Sequence, residues 1–228
     1  TQTIYFSKKC DIWLTNLHFL IAFYWGFMEK CGLLWYTNTN LGDKMRIITG
    51  KFKSKKLVSP TEGDLSIRPT LDRVKEPLFS MIRPYLNGAR VLDLFAGTGN
   101  LGLEAISEGA SFAVLNDKSK TALRIISTNV RLTQTSNCVK ITAKEYDKCL
   151  KSLVGDIFDI IFLDPPYATD YEEDALNKIV EYNLLAKEGI IVLESDKRKE
   201  INENIDRLEI KDKRTYGRVT LRVYRWKE

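Results

Sequence analysis

Two short turns carry the residue types that can do chemistry. The first follows the apolar run Arg90–Phe95 and reads Phe95-Ala96-Gly97-Thr98-Gly99-Asn100-Leu101-Gly102, with Asp93 just ahead of it and Asp117 20 residues beyond Gly97. Gly97, Gly99 and Gly102 satisfy G-x-G-x-x-G, in which residues without side chains let a ligand approach backbone N–H groups at a helix start. The acid some 20 residues on then suits a pair of ribose hydroxyls. A glycine loop that merely turns tightly is the plainer alternative.

Asp93 separates two cofactor classes. A carboxylate at the end of the strand, facing the glycine loop, repels the pyrophosphate of a dinucleotide. The same charge attracts the sulfonium and ammonium of S-adenosylmethionine (AdoMet). One such pair at about 4 Å and an effective dielectric near 20 is worth about 4 kcal/mol before desolvation. AdoMet is therefore favoured over NAD.

The second turn, Asp164-Pro165-Pro166-Tyr167, follows the apolar run Phe158–Leu163. An exocyclic amine on a base is a poor nucleophile because its lone pair is delocalised into the ring. Acceptors that hold its N–H groups draw the lone pair out of conjugation. The Asp164 carboxylate and the Pro165 carbonyl supply two such acceptors. The paired prolines fix the backbone and bring no competing N–H. Tyr167 offers a ring face on which a base can stack, worth about 1–3 kcal/mol. The same tetrapeptide could also be a rigid turn with no ligand.

Both turns need strands that end at the same edge. Beyond Gly88 the sequence alternates between short apolar runs and amphipathic stretches. Strands are expected at Arg90–Phe95, Phe112–Asn116, Cys138–Ala143, Phe158–Leu163, Gly189–Leu193 and Arg218–Tyr224. Helices are expected at Leu101–Glu108, Lys120–Leu132, Tyr146–Leu153 and Asp174–Tyr182. This alternation implies an α/β fold, a doubly wound, mostly parallel sheet with helices on both faces, in which ligands sit at the carboxyl ends of the strands. Upstream, Met45–Val58 reads as a small basic β-hairpin turning at Gly50, followed by a loop and a helix from Leu71 to Ile82 that Thr70 can cap. The expected division is 1–44 as a non-core leader, 45–85 as a basic extension and 86–228 as the catalytic domain.

Charge is unevenly spread along the chain. The net charge is +1 over residues 1–44, +5 over 45–83, −6 over 84–196 and +5 over 197–228. Basic flanks attract polyphosphate, while an acidic middle suits a cationic cofactor. The one histidine, His18, and four scattered cysteines without a C-x-x-C pair argue against zinc, catalytic triads and histidine acid–base chemistry. Metal-free work in a reducing, cytoplasmic setting is expected, and nothing in the pattern demands a dimer.

Residues 12–28 carry no formal charge and are rich in aromatics, at the lower length limit for a membrane span. Asn16, His18 and the following Glu29-Lys30 weaken that reading. Residues 1–44 are expected to lie outside the working fold, as an over-long gene start; an anchor or an extra subdomain are the alternatives.

Leu92–Ala105 (LDLFAGTGNLGLEA) and Ile160–Tyr167 (IIFLDPPY) resemble Rossmann-like class I AdoMet-dependent methyltransferases acting on exocyclic nitrogens. With Met45–Leu57, Arg68–Phe79 (RPTLDRVKEPLF) and Thr215–Tyr224, the chain resembles the RsmD-type enzymes that methylate guanine N2 in 16S ribosomal RNA. The resemblance runs from Met45 to the end. It implies that Asp164, Pro165, Pro166 and Tyr167 form the catalytic turn. Asp93, Phe95, Gly97, Thr98 and Gly99 would hold AdoMet, with Asp117 at the ribose and Glu145 near the adenine. Lys51, Lys53, Lys55 and Lys56 would meet RNA phosphates, and Arg68 and Thr70 would help close the site. The implied partner is 16S rRNA or a small-subunit assembly intermediate. Three positions depart from the family pattern: Asn116 where an apolar residue is usual, Ser119 for an acid, and Glu145 for an aspartate. Adenine-N6 methylation of DNA or RNA, and an NAD-dependent oxidoreductase, are the competing activities.

Overall fold

The computed structural model describes residues 45–60, 72–166, 169–203 and 205–227. Arg68, Thr70 and Tyr167, and the leader 1–44, lie outside the described residues. Seven strands form one sheet: β1 (Arg90–Asp93), β2 (Phe112–Asn116), β3 (Val139–Thr142), β4 (Phe158–Leu163), β5 (Leu185–Asp196), β6 (Leu208–Tyr216) and β7 (Val219–Trp226). Their order is β3-β2-β1-β4-β5-β7-β6. The first five are parallel, and β7 runs antiparallel between β5 and β6. The chain winds outward from β1 in one direction through β2 and β3, then returns to lay β4 on β1's other side. That reversal opens a crevice at the carboxyl ends of β1 and β4.

Strand alternation divides the apolar residues into two layers. Val91, Ile160 and Phe162 face α1 (Asp72–Ile82), α2 (Asn100–Ser107) and α3 (Lys120–Thr133). Leu92, Ile161 and Leu163 face α4 (Tyr146–Ser152) and α5 (Tyr171–Glu181). A strand buried on both faces reads as a continuous apolar run, which is why β4 (FDIIFL) was legible.

The basic arm is a hairpin as expected. Arg46 pairs antiparallel with Lys56, the Ile47 N–H donates to the Lys55 carbonyl at 2.9 Å, and the Leu57 N–H donates to the Met45 carbonyl at 2.8 Å. Gly50 stands at φ +69°, and a Cβ there would lie 2.0 Å from the Ser107 carbonyl oxygen. Glycine is thus required both by the turn and by the close approach to α2.

Two expected elements change and one is added. β6 was not anticipated, because its sequence LEIKDKRTY is charge-rich and mostly half-buried or exposed, as an outer antiparallel strand can be. β5 spans Leu185–Asp196 rather than Gly189–Leu193, its early half straddling an irregular register with β4. α5 begins at Tyr171 rather than Asp174, with Glu172, Glu173 and Asp174 in its first turn, where acids complement the helix dipole. Among the described residues no helix is long and apolar enough to cross a membrane, and no group of three acids, histidines or cysteines could hold a metal.

Candidate active site

β1 ends at Asp93, and the chain then turns back through residues 94–99 into α2. The Leu94 N–H donates to the Phe162 carbonyl at 3.2 Å, and the Ala96 N–H to the Asn116 carbonyl at 2.8 Å, so both neighbouring strands hold the turn. Gly97 and Gly99 have φ +55° and +78°, conformations a side chain would strain. At Gly102 a Cβ would meet the Leu115 Cδ2 at 2.2 Å, so the third glycine lets α2 lie close against β2.

Asp93 is 1% exposed, and its Oδ2 accepts from the Gly102 N–H at 3.1 Å. Its Oδ1 is buried with no partner among the described residues. Burial pushes the Asp93 carboxyl up to about 7, against the Gly102 hydrogen bond and with help from the nearby Asp117 charge. A carboxyl whose ionised form is so poorly solvated gains most from a cation placed beside it.

Asp164 borders the same space as Asp93. Asp93, Asp164, residues 95–98, Asn100 and Leu101 line one cleft with about 280 Å³ of atom-free space, part of it open to solvent. The two carboxylates that the sequence singled out therefore share a cavity. Pro165 is buried and Pro166 exposed. Thr169 fastens the loop beyond them, its N–H (3.0 Å) and hydroxyl (2.7 Å) both donating to the Pro166 carbonyl. Lys199 in turn donates to the Thr169 carbonyl and to Glu172.

Phe95 forms one edge of the cleft and stacks with Tyr171 at 6.3 Å and 7°. Tyr146 sits 4.5 Å from the Tyr171 ring. Its hydroxyl donates to Asp174 at 2.6 Å, and burial together with that bond raises its pKa well above the ordinary tyrosine value.

Other expected residues have different surroundings. Asp117 is absent from the cleft lining and braces it instead: Oδ2 accepts from the Gly97 N–H at 2.9 Å and Oδ1 from the Ser119 N–H at 2.8 Å. Glu145 is exposed, also absent from that lining, and pairs with Lys118 at 3.4 Å. Thr98 lines the cleft, but its hydroxyl donates to the Met45 sulfur at 3.4 Å. Lys51, Lys53, Lys55 and Lys56 are all exposed on the arm.

Two of the unusual residues acquire a physical reason. Buried Asn116 donates to the Leu94 and Lys144 carbonyls, both at 3.0 Å, and accepts from the Thr142 hydroxyl at 2.9 Å, tying together three strand ends. Ser119 is the N-cap of α3, accepting from the Ala122 N–H.

Sequence reasoning missed the residues that fix the arm to the glycine turn. Glu104, fully buried on α2, accepts from the Ile48 N–H at 2.9 Å, from the Thr49 N–H and hydroxyl at 2.7 Å each, and pairs with buried Lys75 at 3.3 Å. Asn129 on α3 accepts from the Val58 N–H at 2.7 Å and donates to the Thr98 carbonyl at 2.9 Å. The available signal was Glu104 itself, a lone acid inside the apolar stretch LGLEAI.

The family model described as "Conserved hypothetical protein 95" matches residues 45–225. The ribosomal RNA small subunit methyltransferase D of Haemophilus influenzae is 33% identical over 187 residues, covering 81% of this chain and 95% of that protein. The chain belongs to the RsmD-type methyltransferase family. A second relative of this RsmD-type chain is YlbH of Bacillus subtilis, a candidate rRNA methyltransferase, 37% identical over 79% of this chain and 98% of its own. Among solved structures, the candidate methyltransferase yhhF of Escherichia coli superposes with a TM-score of 0.72 at 28% identity, over 80% of this chain and 98% of that one. The RsmD-type match begins at Met45, where the basic arm begins.

Proposed function

We propose that this chain methylates the exocyclic N2 of a guanine in 16S ribosomal RNA, with AdoMet as methyl donor. The observation that carries the reading is that Asp93 and Asp164 line one cleft together with the glycine turn. Relatives named as small-subunit rRNA methyltransferases supply the substrate class.

The residues present fit AdoMet. The buried Oδ1 of Asp93, without a partner among the described residues, suits a cation, and the glycines leave backbone room at the same turn. A dinucleotide would bring its pyrophosphate against that carboxylate. When bound, AdoMet supplies an electrophilic methyl group on a sulfonium. Asp164 and the Pro165 carbonyl accept the N–H groups of the base amine and direct its lone pair toward that methyl. Tyr167 offers its ring to the base. Forming the N–C bond would break the methyl's bond to sulfur and leave S-adenosylhomocysteine, the surplus amine proton would pass to water, and no covalent enzyme intermediate is required. Catalysis then rests on positioning and on fixed dipoles rather than on acid–base groups. The base must be unstacked or already in a loop, where access is cheapest. The exposed lysines of the arm supply phosphate contacts. A cytoplasmic monomer acting on rRNA or an assembling small subunit completes the reading.

The test is nucleoside analysis by mass spectrometry of unmodified 16S rRNA, naked or in small subunits, after incubation with the full-length protein and AdoMet. N2-methylguanosine is the expected product. N6-methyladenosine would replace this reading with the adenine alternative, and NAD binding without AdoMet binding would replace it with an oxidoreductase.

A further inference from the structure

We infer that Asn100 is a carboxylate-binding residue and that, together with Asp93, it makes the cleft selective for the α-amino-acid end of its ligand. The inference rests on the AdoMet reading above and adds a residue to it.

Asn100, the first residue of α2, is 3% exposed and lines the cleft. An amide can be turned either way, but its surroundings fix this one. The Lys75 ammonium lies 3.1 Å from the Asn100 Oδ1, and an ammonium has donors only. The oxygen must therefore face Lys75, which leaves the Nδ2 donors on the other branch. Lys75 is itself held by Glu104 at 3.3 Å and by the Arg46 carbonyl at 2.9 Å, so the orientation is built into the arm–helix junction. Lys75 is here a positioning residue.

The Asn100 Nδ2 is buried and has no hydrogen-bond partner among the described residues. The Asp93 Oδ1, in the wall of the same cleft, is an equally unmet acceptor. Buried polar groups are rarely left unpaired, and an unmet donor and an unmet acceptor on residues lining one cleft mark a ligand that carries both complements. A simple cation answers Asp93 and leaves Asn100 unmet. A phosphate answers Asn100 and is repelled by Asp93. An ammonium and a carboxylate on one carbon answer both, which is the amino-acid end of AdoMet.

The test is calorimetric and uses the full chain with two stable ligands: S-adenosylhomocysteine and its decarboxylated form, which keeps the amine. Asn100→Ala is expected to weaken S-adenosylhomocysteine about tenfold or more, as loss of a hydrogen bond to a charged group does. It should leave the decarboxylated ligand within about twofold. Asn100→Asp keeps an oxygen toward Lys75 but presents an anion to the ligand. It should weaken S-adenosylhomocysteine at least as much while still binding the decarboxylated form. Equal losses for both ligands, or none for either, would overturn the role of Asn100 alone. Wild-type protein that binds neither ligand would overturn the AdoMet reading together with it.

Discussion

Asp93 and Asp164 stand 71 residues apart in the chain yet line one cleft, because β1 and β4 are neighbouring parallel strands with Asp93 paired to Phe162. Asp164 follows directly on the end of β4, so both carboxylates stand at the same, carboxyl end of the sheet. The two acids differ in setting. Asp93 is sealed against α2 by the Gly102 N–H, while Asp164 is half-exposed at the head of the proline turn. One is suited to hold a cation, the other to meet a substrate from solvent.

Stability of the ligand-free protein should fall as pH rises. Burial lifts Asp93 to about 7 in the folded state, from an ordinary 3.8. The folded protein thus keeps a proton that the unfolded chain loses. The contribution of this group is fully present below about pH 4 and is lost as pH climbs to about 7, by at most about 4 kcal/mol. Urea unfolding at pH 5 and pH 8 measures it, and Asp93→Asn should flatten the difference. Affinity for a cationic ligand should change in the opposite direction, rising with pH as Asp93 ionises.

The Glu104–Lys75 pair should be among the most sensitive points away from the chemistry. Glu104→Ala strands a buried ammonium and leaves the Ile48 and Thr49 N–H groups without their acceptor. A loss of about 3–5 kcal/mol is expected. Lys75→Met combined with Glu104→Gln removes both charges, and it should cost less than the two single changes added together. Denaturant titration of the four proteins checks this. Proteolysis within residues 45–58 should accelerate in Glu104→Ala, since its arm is untied.

Much of this architecture was legible because its signals are local. Five parallel strands announced themselves as apolar runs, and glycine spacing with Asp-Pro-Pro marked the ends of β1 and β4. What stayed hidden depends on long-range pairing. The charged β6 reads as solvated until β7 is laid beside it. Glu104, Lys75, Asn100 and Asn129 are ordinary surface residue types, and only the docked arm makes them a buried network. Asp117 was legible as an acid at the right spacing, but its two backbone hydrogen bonds to the turn were not. Glu145 was legible only as a departure from the family's usual aspartate, and its pairing with Lys118 at the exposed surface was not legible.

The arm lysines should govern RNA affinity and its salt dependence. Lys51, Lys53, Lys55 and Lys56 are exposed, so replacing each with Ala should change stability by no more than about 0.5 kcal/mol. Each lysine that meets a phosphate should lower the slope of log affinity against log salt by about 1 when removed. Filter binding of 16S rRNA from about 50 to 200 mM salt reads the slope. Binding of S-adenosylhomocysteine should be unchanged.

The most direct test separates the two walls of the cleft in one variant. Asp164→Ala should bind S-adenosylhomocysteine within about threefold of wild type by calorimetry, while methyl transfer to 16S rRNA in a single turnover falls at least about 100-fold. Transfer that survives in Asp164→Ala, or cofactor binding that vanishes along with transfer, would contradict a cleft divided between donor and acceptor.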